Sequence, residues 1–122
     1  MGGHERARGS SKDALERGDI SIDTVDTYYG QTLLSWAAKG RHEWMVKMLF
    51  EREDVNPDHP DTEYGRTPLS WAAGNGHEEI VKILLEQEDT NPDQPDIYYV
   101  QTPLSRAAER GHEGVVMMLL GR

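Results

Sequence analysis

Apolar residues recur along this chain in short bursts separated by polar and proline-rich stretches. Leu69, Ala72 and Ala73 have the spacing of one narrow helix face. Ile80, Val81, Ile83, Leu84 and Leu85 then supply the buried side of a second helix, with Glu79, Lys82 and Glu86 on its wet side. Thr67 before Pro68 predicts where the first helix starts: a hydroxyl that caps free N–H groups, then a residue whose missing N–H costs nothing at the first helical position. Gly76 predicts its stop, since glycine readily takes the positive φ of a helix C-terminus, and His77 begins the second helix. Asn91, Pro92, Asp93, Pro95 and Asp96 cannot continue it and predict an extended or turned connector.

The unit of two short helices and a connector occurs repeatedly at a fixed period. Tyr29, Tyr64 and Tyr99 lie 35 residues apart, and each opens a stretch that reaches His42, His77 or His112. The stretch SSKDALERGDISIDTVD also aligns with MVKMLFEREDVNPDHPD, so a partial unit leads the array. These boundaries predict a disordered leader at 1–9, a partial unit at 10–26, repeats at 27–61 and 62–96, and a C-terminal repeat at 97–122. A period of this length predicts an all-α solenoid whose units contact only their neighbours, a fold that usually makes binding surfaces.

Gly65, Thr67-Pro68-Leu69, Ala72-Ala73, Gly76-His77, Ile80-Val81 and Leu84-Leu85 agree at one register with a known pattern, and the chain from about Ser10 to Arg122 resembles the ankyrin repeats. The resemblance implies a curved stack of helix-turn-helix units with loops projecting to one side. It also implies protein binding through loop tips and the concave helix face, with no cofactor and no catalysis. Ser35, Ser70 and Ser105 stand where that family usually has histidine, implying a shorter hydrogen bond in its place. The NPDHPD and NPDQPD connectors are longer than usual, and Glu53-Asp54 and Glu88-Asp89 replace the customary Gly-Ala exit. With TPLSWAA and near-identical copies, this style resembles the arrays of large fungal repeat proteins, including receptor-like signalling ATPases.

Differences between the copies sharpen the expectations. Trp36 and Trp71 occupy a position that the resemblance places against the adjoining unit, and they are expected to pack there; Arg106 replaces them in the third copy and suggests a polar outer face on a capping repeat. His42, His77 and His112 are expected to bond to the turn of a neighbouring unit. They do not form an HExxH zinc motif, because Val46, Val81 or Val116 takes the second histidine's place. Gly40-Arg41 replaces Asn75-Gly76, so either Arg41 is left-handed or the turn shifts by one residue. Leu33 replaces the helix-starting proline, so the first unit is expected to fray more.

The formal charge is −9 over 122 residues, with Glu51, Glu53, Asp54, Asp58, Asp61 and Glu63 in one inter-unit segment. That sign opposes nucleic acid and anionic lipid, and it favours a protein partner with a basic surface. There is no cysteine, hence no disulfide framework. No apolar run reaches the roughly 18 to 20 residues of a membrane helix, and MGGHERARGSS lacks the hydrophobic core of a secretory signal. A cytoplasmic monomer is the expectation.

Catalytic and metal-binding constellations are weak. Asp54 to Asp58 and Asp89 to Asp93 resemble the opening of a calcium loop, but His59 or Gln94 replaces the sixth-position glycine and Gly65 or Val100 the closing glutamate. Asx turns explain these residues better. The repeated serines lie inside a helix, far from any strained nucleophile turn, and no phosphate loop is present. No catalytic, metal or cofactor residues are assigned. Recognition is expected from residues flanking the loop and ending the first helix: Tyr28, Gln31 and Lys39; Glu63, Tyr64, Arg66 and Asn75; Tyr98, Tyr99, Gln101, Glu109 and Arg110. Tyrosine supplies contact area at low entropic cost, and Arg66 and Arg110 can make bidentate bonds. The invariant Tyr29, Tyr64 and Tyr99 also suit a loop-closing role. The alternative function is a structural spacer or self-associating array, with Met117, Leu119 and Leu120 packing on other copies.

Overall fold

Thr32, Thr67 and Thr102 start three helices in the same way, each Oγ1 accepting a hydrogen bond 3.1 Å from the backbone N–H of Ser35, Ser70 or Ser105. The computed structural model describes residues 32–52 and 55–121. The leader, the partial leading unit, Tyr28, Tyr29 and Gln31 lie outside these residues. Within them the chain forms α1 (Leu33–Lys39), α2 (Glu43–Phe50), α3 (Pro68–Gly74), α4 (Glu78–Leu85), α5 (Pro103–Glu109) and α6 (Glu113–Leu120), with no strand. Pro68 and Pro103 begin their helices as the sequence predicts, and Leu33 begins α1 with its threonine cap intact.

The turn after each first helix passes through positive φ: 64° at Arg41, 74° at Gly76 and 75° at Gly111. Arg41 therefore accepts the left-handed conformation, and the turn keeps its register. A side chain with a β-carbon is strained in that region. His42, His77 and His112 then occupy the N-cap positions of α2, α4 and α6, with no side-chain bond to the helix N–H groups.

Small residues set how the units stack. Ala37, Ala38, Ala72, Ala73 and Ala107 are fully buried, which lets α1 pack closely on α3, and α3 on α5. Behind this layer α2, α4 and α6 bring Val46, Leu49, Ile80, Val81, Leu84, Val115 and Leu119 into one continuous core. Burial of each such branched side chain is worth about 1.5–3 kcal/mol. Leu119, expected to be available for self-association, belongs to this core, whereas Met117 and Leu120 are exposed.

Two further expectations are corrected. Trp36 is 45% exposed and lies flat on its own unit's His42, with ring centroids 4.9 Å apart. Arg106 is only 6% exposed, so the polar-cap interpretation of the third unit fails. The reason lies in α3, the first helix of the preceding repeat, where Gly74 leaves room for the guanidinium.

Candidate functional site

Two buried aspartates hold the projecting loops. Asp61 Oδ1 accepts from the backbone N–H groups of Tyr64 at 2.7 Å and Gly65 at 2.9 Å, and its Oδ2 accepts from the Trp71 indole. Asp96 repeats the arrangement for Tyr99 at 2.9 Å and Gln101 at 3.2 Å. Each loop is closed at its base, by Asp61 N–H to Arg66 O at 2.9 Å and Asp96 N–H to Gln101 O at 2.8 Å. The Ile97 N–H donates to Gly65 O at 3.0 Å, tying the third loop to the second. Neither aspartate was singled out as a loop anchor. The sequence does carry a signal, because Asp26, Asp61 and Asp96 recur at the unit period, each four residues before Gly30, Gly65 or Val100.

His77 and His112 each reach back one unit, whereas His42 stacks on Trp36 of its own unit. The His77 ring nitrogen Nε2 lies 3.1 Å from Lys39 O, and that of His112 lies 3.0 Å from Gly74 O. This is the structural role expected of the three histidines, observed at His77 and His112. Ser35 and Ser70 depart from expectation: their backbone N–H groups are capped, but their buried hydroxyls find no partner. In the connectors, Asn56 and Asn91 close the expected Asx turns onto Asp58 N–H and Asp93 N–H at 3.0 and 3.1 Å. Asp58 also accepts from Asn91 N–H at 2.8 Å, and burial raises its pKa above the ordinary aspartate value.

A cluster of cations and rings forms where loops meet first helices. The Arg66 guanidinium covers Tyr64 at 4.4 Å, Trp71 at 4.9 Å and Tyr99 at 5.8 Å, measured to ring centroids. Lys39 Nζ lies 4.5 Å from the same Trp71 ring, and Tyr64 meets Trp71 edge to face. Such contacts are worth about 0.5–1 kcal/mol each at exposed sites and more when desolvated. Burial, then the nearby charges of Arg66 and Arg110, lowers the pKa of Arg106.

The expected recognition residues are therefore divided in their placement. Lys39, Tyr64 and Arg66 come together around Trp71, and Tyr99 lies against Arg66 and Tyr64, although Arg66 is largely enclosed rather than projecting, with 12% of its side chain exposed. Tyr98 and Tyr99 are each 60% exposed, and Ile97 and Val100 extend the same tip at 61% and 72%. Val100 adopts φ 57°, the conformation of Gly65 one unit earlier. Glu63 and Arg110 are exposed. Asn75 Nδ2 donates to Lys39 O at 3.2 Å, and Gln101 Nε2 donates to Glu109 Oε1 at 3.3 Å, so these residues brace neighbouring groups.

The stacked helix pairs, histidine bridges and hairpin-like loops accord with a match to the ankyrin-repeat family (three copies) over residues 53–122, more than half of the chain. The chain belongs to the ankyrin-repeat family. No curated protein matches it in a sequence comparison. Ankyrin repeats generally bind proteins and are typically not enzymes. Among the described residues, no group of three or more His, Cys, Asp or Glu could hold a metal ion, and no helix is long and apolar enough to cross a membrane.

Proposed function

We propose that this ankyrin-repeat chain is a protein-recognition module of a larger intracellular receptor or scaffold, of the style found in fungal repeat proteins. The contact surface is the third loop tip together with the concave cluster beside it. The carrying observation is the run Ile97, Tyr98, Tyr99 and Val100, four consecutive large residues exposed on a loop fixed by Asp96 and by Gly65 O. Ordered aromatic and aliphatic area bears little entropic penalty on binding, which is the usual basis of an anchor. Acidic connectors add long-range attraction for basic regions of a partner.

Affinity capture tests the proposal by comparing the whole chain with a Tyr98→Ala, Tyr99→Ser variant of unchanged thermal stability. Loss of a saturable partner from the variant supports it. Equal recovery by both overturns the assignment of the tip. Exposed Met117 and Leu120 favour a second reading, a self-associating array. In a sedimentation concentration series, a constant monomer mass would remove it.

A further inference from the structure

Asn75 and Gly76 are adjacent in the turn between α3 and α4. Asparagine followed by glycine is prone to spontaneous loss of the side-chain amide, because no side chain on the glycine hinders attack by its backbone nitrogen. The chain's other asparagines, Asn56 and Asn91, precede Pro57 and Pro92, whose nitrogens have no proton to lose. The stack itself demands the reactive pair's second member. Gly76 holds φ 74°, and a β-carbon there would lie 2.7 Å from Nδ1 of His112, so another residue is not accommodated. The equivalent turns read Gly40-Arg41 and Arg110-Gly111 and lack the pair.

The folded turn keeps the two reacting groups apart. Asn75 has ψ 0°, which places the Gly76 nitrogen over the Asn75 nitrogen and away from the side chain. Gly76 N–H donates to Ala73 O at 3.2 Å, and Asn75 Nδ2 donates to Lys39 O at 3.2 Å. His77 Nε2 lies 3.1 Å from the same Lys39 oxygen. Attack needs the reacting atoms aligned and roughly 3–3.5 Å apart, so the turn must first leave this geometry. The tie to Lys39 is exposed, so water and hydroxide reach it without passing through the core.

We propose that Asn75-Gly76 is a self-modifying junction, latent while the first and second repeats are stacked and converted when they part. Hydroxide removes the Gly76 amide proton, the nitrogen bonds to Asn75 Cγ, and the Cγ–Nδ2 bond breaks, Nδ2 taking a proton from water and leaving as ammonia. Water then opens the five-membered imide at either carbonyl to give aspartate or isoaspartate, and nothing is oxidised or reduced. Either product lacks the N–H that Lys39 O accepts and sets a carboxylate against that oxygen. Isoaspartate also adds a carbon to the backbone of a turn that packs on His112. Restacking is weakened, so a transient opening leaves a permanent mark. This chemistry needs no partner and stands apart from the protein-recognition proposal.

Peptide-resolved mass spectrometry of the whole chain, incubated in mildly alkaline buffer with and without urea, tests this. Asn75 should convert in urea and about tenfold or more slower in buffer, since reaction through an open state follows the population of that state. His77→Ala removes the second tie to Lys39 O and should speed conversion in buffer severalfold. Asn75→Asp, the product with an unaltered backbone, should melt about 4 °C below the parent. No conversion in urea, equal rates in urea and buffer, an Asn75→Asp variant as stable as the parent, or a folded His77→Ala variant converting no faster would each overturn the junction. If His77→Ala does not fold, the urea comparison on the parent and the melting of Asn75→Asp decide between them.

Discussion

Arg106 occupies the space that a side chain at Gly74 would need: a β-carbon built there would lie 2.8 Å from Nη2 and 2.9 Å from Nε. One repeat earlier, the same two positions hold Lys39 and Trp71, with the ammonium over the indole ring. Residues 74 and 106 thus form a matched exchange of small with charged for charged with aromatic. Alanine in place of helical glycine ordinarily stabilises by about 0.5–1 kcal/mol. Gly74→Ala is expected to do the reverse, costing about 1–3 kcal/mol through overpacking. Urea unfolding measures the sign, and a Gly74→Lys, Arg106→Trp double variant should recover most of what Gly74→Lys alone loses.

The period, threonine caps, helix-starting prolines and apolar faces were legible because each acts locally and repeats. Arg106 runs against its sequence because a charged side chain in a last copy suggests solvent, while its burial depends on what stands opposite in the first helix of the preceding repeat. The Gly74 and Arg106 changes are both visible in the sequence, but only stacking shows that they face each other. Asp61 and Asp96 were hidden among surface acids for the same kind of reason, since their burial arises from loops folding around them. The loop tip was legible in part. The aromatic pair Tyr98 and Tyr99 is visible in the sequence and exposed in the structure, but the strained Val100 beside them carries no such local signal.

Val100 and Arg41 hold positive φ with a β-carbon, where other copies have glycine. Val100 is the more strained because it is branched at that carbon, and being 72% exposed it offers little burial in return. Val100→Gly and Arg41→Gly are each expected to stabilise by up to about 1 kcal/mol. Chemical denaturation of the two single variants and the double should show nearly additive gains, the sites being distant. An unchanged or lowered midpoint for either would show that its backbone is unstrained.

Ser70 and Thr67 differ in what their hydroxyls do, although both are buried. Thr67 Oγ1 caps α3, so Thr67→Ala is expected to cost about 1 kcal/mol. Ser70 Oγ has no partner, so Ser70→Ala should be neutral or stabilising by about 1 kcal/mol. Melting curves of the two variants separate the roles. A loss at Ser70 equal to that at Thr67 would mean that the serine hydroxyl is bonded after all.

Asp58 gives the connectors a pH dependence of unusual sign for an aspartate. Its pKa is raised first by burial, with the Asn91 N–H bond opposing and the charge of Asp89 adding to the rise. The folded chain therefore holds this proton more tightly than the unfolded chain, and folding is favoured most when Asp58 is protonated. That contribution is complete below the ordinary value of 3.8 and disappears as pH rises through the raised folded value. Asp58→Asn keeps an oxygen for Asn91 N–H but removes the charge. The variant's melting temperature should match that of the parent well below the ordinary value, exceed it increasingly as pH rises through the raised folded value, and keep a constant excess above it. A gap that moves in the opposite direction would mean that the bond from Asn91 to the ionised carboxylate outweighs its desolvation.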